Sequence, residues 1–392
     1  MKNTKYFSVI AVAILIKILL FAFLVMYAPQ SRFQSDSRDY LETAQVLSSR
    51  GAFAKADSDG SLRYELFRTP GYPVFLAFLQ GLMKVPLNGV ILFQVFLAIL
   101  AAWITYKAAL QIDYRIAFLS AVIVLYDPPI SIFSLIILSE TLFLFLTALF
   151  MLSFVLYLRN NKTGPVILSA LMLAAATYVR PITYYLGAAV AIFIIYARIR
   201  VNFKRAFIHA LIFLVIVYGL LGAWQVRNYK QAGQKTFCSV IQGNCAYMGL
   251  AGSYARFKDS IAKGMGPAHY YASATSRCFL SLMTRPGPFK YFKSAALSVA
   301  GRVLAYPWLV FWIIGFIAGI MQARRNIYYQ FMFFIILYFI FTSIGGAGWI
   351  VGERFRIPMV PFIAVTSAAG WVALAGYWAR RKEKVRHEEL PV

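Results

Sequence analysis

Long apolar runs separated by short polar stretches dominate the chain. They suggest membrane segments near 6–27, 88–106, 116–135, 139–158, 164–180, 183–198, 206–224, 307–323, 331–349 and 358–379. Each is close to the roughly 20 mainly apolar residues that a helix needs to cross a bilayer. One further run, Val74–Val85, is shorter and follows the turn Pro70-Gly71-Tyr72-Pro73.

The polar interruptions decide whether that extra run crosses. With Met1 cytoplasmic and Val74–Val85 only partly inserted, every short basic connection falls on the cytoplasmic side. These are Lys107 and Arg115; Arg159 and Lys162; Arg198, Arg200, Lys204 and Arg205; Arg324 and Arg325; and the tail Arg380-Arg381-Lys382. Cytoplasmic loops collect Lys and Arg in this way, and a full crossing would invert all the later ones. The pattern predicts ten spans plus one partly inserted helix. It divides the chain into a transmembrane core over 1–225 with a first outer loop at 28–87, a large outer loop at 226–306, C-terminal transmembrane helices over 307–379 and a basic cytoplasmic tail at 380–392. The first run is too long for a signal peptide and lacks a small-residue cleavage site, so it is expected to remain as a span.

Composition agrees with this class. The chain is 61% hydrophobic and 14% charged over 392 residues, against about 45–50% and about 25% in soluble domains. The fold class expected is therefore an all-α polytopic membrane protein. A net charge of +25 follows from the loop bias and from attraction to anionic lipid. No soluble basic module suggests a nucleic-acid partner. No phosphate-binding glycine loop, dinucleotide fingerprint or zinc motif is present, so no nucleotide cofactor is expected. Cys238 and Cys245 are seven apart and suit a disulfide if their loop meets an oxidising space.

Acids are scarce, and their placement carries the chemistry. Of 14 Asp plus Glu, six lie between Asp36 and Glu65. Asp36 and Tyr40 are four apart and share a face of a predicted amphipathic helix. Ser35 or Asp36 is its expected N-cap, a role that would by itself explain Asp36. Asp57, Asp59 and Glu65 are expected to be solvated. Under the predicted topology Glu140, Arg68, Arg180, Arg227, Arg354 and Arg356 come to the same outer surface. Charges at membrane depth are expensive and tend to be functional, although snorkelling toward lipid headgroups accounts for any one arginine alone. Asp127, before Pro128-Pro129, either floors this site or hydrogen-bonds the backbone that the prolines free.

These parts suit transfer of a sugar from a lipid phosphate. A carboxylate takes the proton of an acceptor hydroxyl, and arginines stabilise charge on the departing phosphate. A phosphate leaves without a second carboxylic acid to protonate it, unlike the alkoxide in glycoside hydrolysis. A transporter or flippase of lipid-linked sugars, and an O-antigen ligase or polymerase, remain open as alternatives. Transporters usually show paired repeats and midplane charges, which this sequence lacks.

At these residues the chain resembles the GT-C superfamily of polytopic glycosyltransferases, in particular the group of protein O-mannosyltransferases and aminoarabinose transferases. The resemblance rests on Asp36-x-x-x-Tyr40, Arg68-x-Pro70-Gly71-Tyr72-Pro73, Ser139-Glu140, Arg180-Pro181, Trp224-x-x-Arg227-Asn228-Tyr229 and Glu353-Arg354-Phe355-Arg356-x-Pro358. It implies an inverting enzyme with a polyprenyl-phosphate-sugar donor and a hydroxyl acceptor, in a bacterial inner membrane with its active site facing the periplasm. It implies catalytic roles for Asp36 and Glu140, with a divalent metal there if any is used. Tyr40, Arg68, Arg180, Arg227, Arg354 and Arg356 would bind the donor phosphate or substrate. Many members carry Asp-Glu where Asp36-Ser37 stands here, a departure that bears on the metal.

Overall fold

The computed structural model describes residues 2–239, 255–285, 287, 295–323, 326–347 and 351–388. Helices account for nearly all of the regular structure, and eight of them are long and apolar enough to cross a membrane.

The first helix, α1 (Lys2–Tyr27), is followed by α2 (Ser35–Arg50), which lies in the first loop. A small antiparallel hairpin, β1 (Ala54–Ala56) and β2 (Leu62–Tyr64), comes next. The chain then enters α3 (Gly71–Leu76), which continues as a π-helical turn over Ala77–Leu82. At about 1.5 Å per residue the stretch Gly71–Leu82 is only about 18 Å long. That is short of the roughly 30 Å hydrocarbon core, so this element does not cross by length.

The bundle continues with α4 (Leu87–Leu110), α5 (Tyr114–Leu125), α6 (Pro128–Phe133), α7 (Glu140–Asn160), α8 (Thr163–Val179), α9 (Leu186–Arg198) and α10 (Phe203–Ala232). After α11 (Pro267–Thr284) come α12 (Ala295–Ala323), α13 (Ile327–Ala347), the single turn α14 (Glu353–Arg356) and α15 (Val360–Glu388).

The predicted span at 116–135 is not one helix. Two prolines lack N–H groups and end the ladder, so α5 stops at Leu125 and a short α6 begins at Pro128. Asp127 caps this restart, its Oδ1 accepting from Ile130 N at 3.0 Å. Asp127 thus serves the freed backbone rather than the floor of a site. Lys17 faces the bundle interior and donates to Ser131 Oγ at 2.8 Å. The predicted segment at 164–180 is the shorter helix α8. Cys245 and the basic pair Arg324-Arg325 lie outside the described residues, and the expected disulfide with them.

Two packing details position the later site. Gly315, Gly319 and Gly370 let α12 and α15 touch backbone to backbone, because a Cβ on any of them would run into the other helix. Gly71 does the same where α3 meets α8, since its Cβ would lie 2.8 Å from the carbonyl carbon and oxygen of Tyr178.

Candidate functional site

Helix α2 is set in place by its own N-terminus. The Gln34 amide donates to Ser37 Oγ at 2.9 Å, and Ser37 Oγ donates to the Ile137 carbonyl at 2.8 Å. Gln34 is therefore the N-cap, not Ser35 or Asp36. The Asp36 carboxylate is freed from capping and turns to side chains.

Its two partners arrive from distant parts of the chain. Arg68 Nη2 lies 2.9 Å from Asp36 Oδ1. Arg354, on α14, lies 2.8 Å from Asp36 Oδ2. Arg354 also donates through Nε to Glu140 Oε1 at the start of α7. Arg180, between α8 and α9, completes this end with Nη1 at 2.5 Å from the same Glu140 oxygen. One guanidinium thus bridges two carboxylates that are more than one hundred positions apart in the chain. Glu140 is 1% exposed and Asp36 is part-exposed, so the cluster has a sealed side and an open side.

Tyr40 stands where the sequence pattern puts it. Its ring packs edge-on against Tyr72 at 4.9 Å between centroids, the Arg68 guanidinium lies 5.1 Å from its ring centroid, and its hydroxyl is 3.3 Å from Ser139 Oγ. The loop holding Arg68 is tied to α8 by Thr69 Oγ1, which donates to the Val179 carbonyl at 2.9 Å. Arg68 and Arg180 are therefore locked side by side through neighbouring backbone.

The structure brings in three residues that sequence reasoning missed or misread. Arg68 Nη2 also reaches Asp39 Oδ2 at 2.8 Å, and Lys55 Nζ lies 2.6 Å from Asp39 Oδ1 and 3.2 Å from Glu65 Oε2. Glu65 is 6% exposed rather than solvated, and its Oε1 accepts the amides of Phe67 at 2.6 Å and Arg68 at 3.0 Å. The ion chain therefore continues from Glu140 through Arg354, Asp36, Arg68, Asp39 and Lys55 to Glu65. Asp39 sits three residues after Asp36, a spacing that puts both on one helix face, and that was the available signal.

Charge fixes the ionisation of the outer part of this chain. Burial raises the Asp36 carboxyl, but the Arg354 and Arg68 guanidiniums more than offset it and hold it below the usual range. Asp39 is likewise held down against burial, by hydrogen bonds from Lys55 and Arg68. Arg68 is raised despite its own burial, because Tyr40, Asp36 and Asp39 surround it.

Two arginines expected at this surface take partners outside the cluster. Arg227 on α10 donates to the Phe53 carbonyl at 3.1 Å and lies over the rings of Trp224, Phe53 and Tyr64 at 4.8, 5.5 and 5.5 Å. It clamps the β1–β2 hairpin to α10. Arg356 is 1% exposed and donates to the carbonyls of Leu282, Met283 and Arg285 at 3.0, 2.9 and 2.9 Å. It fastens the C-terminal end of α11 to α14. Neither reaches Asp36 or Glu140.

The donor set does not fit a divalent metal. Asp36 presents each oxygen to a guanidinium, and Glu140 Oε1 is taken by two. Of these four carboxylate oxygens Glu140 Oε2 alone is buried without a hydrogen-bond partner, and among the described residues no three His, Cys, Asp or Glu gather. The cation between the two carboxylates is Arg354.

Comparisons with known proteins show what the chain resembles. Residues 68–222 match the family model of dolichyl-phosphate-mannose-protein mannosyltransferase. No curated protein sequence matches the chain. Among solved structures, the archaeal oligosaccharyltransferase AglB from Archaeoglobus fulgidus, in complex with an inhibitory peptide and a dolichol-phosphate, shares 12% identity with a TM-score of 0.52, over 100% of this chain and 53% of that one. The oligosaccharyltransferase of the same organism tethered to an acceptor peptide gives 12% and 0.54, over 95% and 50%. Its complex with Zn and sulfate gives 12% and 0.56, over 95% and 50%. The chain spans about half the length of these structures, and at such identity the likeness is one of fold. The chain is a polytopic membrane protein that shares its fold with these oligosaccharyltransferases, and its residues 68–222 carry the mannosyltransferase match.

Proposed function

We propose that this protein is an inverting glycosyltransferase that moves a sugar from a polyprenyl-phosphate donor to a hydroxyl acceptor at the outer face of the membrane. The observation that carries the reading is the Glu140–Arg354–Asp36–Arg68 chain, with Arg180 alongside, at one end of the bundle. The match of 68–222 to a mannosyltransferase family and the dolichol-phosphate held by a solved relative support the donor class.

In this reading the donor phosphate docks on Arg180 and Arg354. Arg180 commits only Nη1 to Glu140, and Arg354 uses Nε and Nη2. A guanidinium carries five N–H donors in a fixed fork, so both keep N–H groups for phosphate oxygens. Glu140 is the buried anchor that holds the pair in place. Asp36 accepts the proton of the acceptor hydroxyl as its oxygen bonds to the anomeric carbon. The bond from that carbon to the phosphate oxygen breaks, and the polyprenyl phosphate leaves with the electron pair, stabilised by both arginines. A phosphate that draws Arg354 toward itself loosens the clamp on Asp36. The carboxylate then becomes more basic when the donor is bound.

Incubating the purified chain with a panel of polyprenyl-phosphate sugars and a hydroxyl acceptor tests this. Release of polyprenyl phosphate with transfer or hydrolysis of one sugar is expected. Movement of intact donor across proteoliposomes without any release would establish a flippase instead.

A further inference from the structure

The end of the bundle opposite the acidic cluster carries a second concentration of unmet polar groups. Eight buried side-chain atoms lack a hydrogen-bond partner among the described residues, and four of them belong to Tyr157, Asn161, Arg198 and His209. These residues lie where α7 ends, α8 begins, α9 ends and α10 begins. Tyr157 is seventeen residues along α7 from Glu140, so at ~1.5 Å per residue this end is about 25 Å from the acidic cluster.

Tyr157, Arg198 and His209 form one knot, and Asn161 lies one turn beyond Tyr157. The Tyr157 and His209 rings meet edge to face at 5.5 Å, and the Arg198 guanidinium lies 5.6 Å from the Tyr157 ring centroid. Arg198 Nη2 donates to the Tyr157 carbonyl at 3.3 Å and to that of Leu158, which fixes the guanidinium but leaves Nε unused. His209 Nε2 meets Thr163 Oγ1 at 3.2 Å, which leaves Nδ1 unused. Tyr157 is 0% and His209 2% exposed. Arg205, exposed in the first turn of α10, adds positive charge to the rim at this end. No carboxylate pairs with Arg198 or Arg205 among the described residues, whereas every arginine of the acidic cluster has one.

A basic rim alone is what any cytoplasmic membrane face shows. Buried, unpartnered donors beneath that rim are not, because an unmade hydrogen bond costs about 1–3 kcal/mol at each such atom. Arg198 Nε and, in one tautomer, His209 Nδ1 are donors, and the Tyr157 hydroxyl beside the Arg198 guanidinium keeps its own proton to donate. Together with uncompensated positive charge they match a tetrahedral oxyanion at headgroup depth. Asn161 Oδ1 is an acceptor in the same turn and suits a headgroup hydroxyl. We propose that Tyr157, Arg198 and His209 form a phosphate-recognising site at this end of the bundle, filled by the phosphate of an anionic phospholipid.

The test uses the whole purified chain in nanodiscs of phosphatidylcholine alone or with phosphatidylglycerol, and separately with inorganic phosphate. The readouts are the thermal unfolding midpoint and the lipid retained in native mass spectrometry. Phosphatidylglycerol is expected to raise the midpoint and to stay bound. A matching shift with inorganic phosphate would keep the phosphate chemistry and move its source to a soluble anion. No preference over phosphatidylcholine and no phosphate effect would overturn the site. Arg198→Gln should weaken retention about 10- to 100-fold, as loss of charge-assisted hydrogen bonds does. Arg200→Gln, on the exposed rim, should cost no more than the roughly fivefold of one surface charge. Equal losses would reduce the site to a general basic surface. Tyr157→Phe covers the case in which Arg198→Gln fails to fold. It removes an unpartnered buried hydroxyl, so the lipid-free protein should be at least as stable while the lipid-dependent shift shrinks. An unchanged shift would remove Tyr157 from the site.

Discussion

Arg354 is the single side chain that joins both carboxylates, and its removal shows what the bridge contributes. Arg354→Gln leaves Glu140, 1% exposed, with Arg180 alone at 2.5 Å, and leaves Asp36 with Arg68 at 2.9 Å. Taking one partner from a buried pair costs about 3–5 kcal/mol. Arg180 remains, so the lower end, ~3 kcal/mol, is expected for the single variant. Glu140→Gln alone leaves two guanidiniums facing an amide oxygen that carries no charge. In the double variant the buried position 140 no longer carries a charge short of a partner, and the loss should fall below the sum of the singles. A coupling of ~2 kcal/mol, about thirtyfold in the unfolding equilibrium, lies within the range for contacting charged residues. Equilibrium unfolding in mixed micelles of the four proteins measures it. Additivity within ~0.5 kcal/mol would mean that Arg354 and Glu140 do not interact, and the bridge would be refuted.

Other consequences follow from the same contacts. Because two guanidiniums depress Asp36, its carboxylate is ionised throughout the neutral range, and the stabilisation it contributes is present above the unfolded pKa and lost as pH falls through the lower folded one. The acid limb of kcat/KM, which reports the free enzyme, should accordingly lie below the ordinary carboxylate value of about 4, and a limb at pH 6 would assign the base elsewhere. Gly71→Ala drives a Cβ into the Tyr178 backbone at 2.8 Å and should cost ~1–3 kcal/mol by overpacking; an unchanged unfolding midpoint would count against the α3–α8 contact. Arg227→Ala removes the clamp on the hairpin, where cation–π contacts are worth about 0.5–2 kcal/mol, so limited proteolysis within residues 54–64 should quicken while donor affinity holds. A matching loss of donor affinity would return Arg227 to the site.

Much of the site was legible because scarce charges in an apolar chain have few innocent places to go. Asp36, Glu140, Arg68, Arg180 and Arg354 were each conspicuous, and loop charge alone put them at one end. What was not legible depended on direction within a turn. Arg354 and Arg356 are two apart on the single-turn helix α14, so one enters the cluster while the other points into the carbonyls that end α11. No spacing rule distinguishes them without the packing of α11. The partners of Arg227 were hidden for a similar reason, since its aromatic cage is assembled from Phe53 and Tyr64, far away in sequence. Glu65 looked solvated among exposed neighbours, yet it folds back to cap the amides that shape the Arg68 loop. The spans fared well where hydropathy was continuous. At 116–135 the average over the run hid the break that Pro128 imposes.

The central claim is that Asp36 takes the acceptor proton in a transfer that releases polyprenyl phosphate. Single-turnover release of polyprenyl phosphate by the wild-type chain and by Asp36→Asn, each shown to be folded and to bind donor equally, tests it most directly. The expected result is release by the wild type and a roughly 10²- to 10⁴-fold slower release by the variant, the contribution of a positioned base. Near-equal rates with equal donor binding would contradict it.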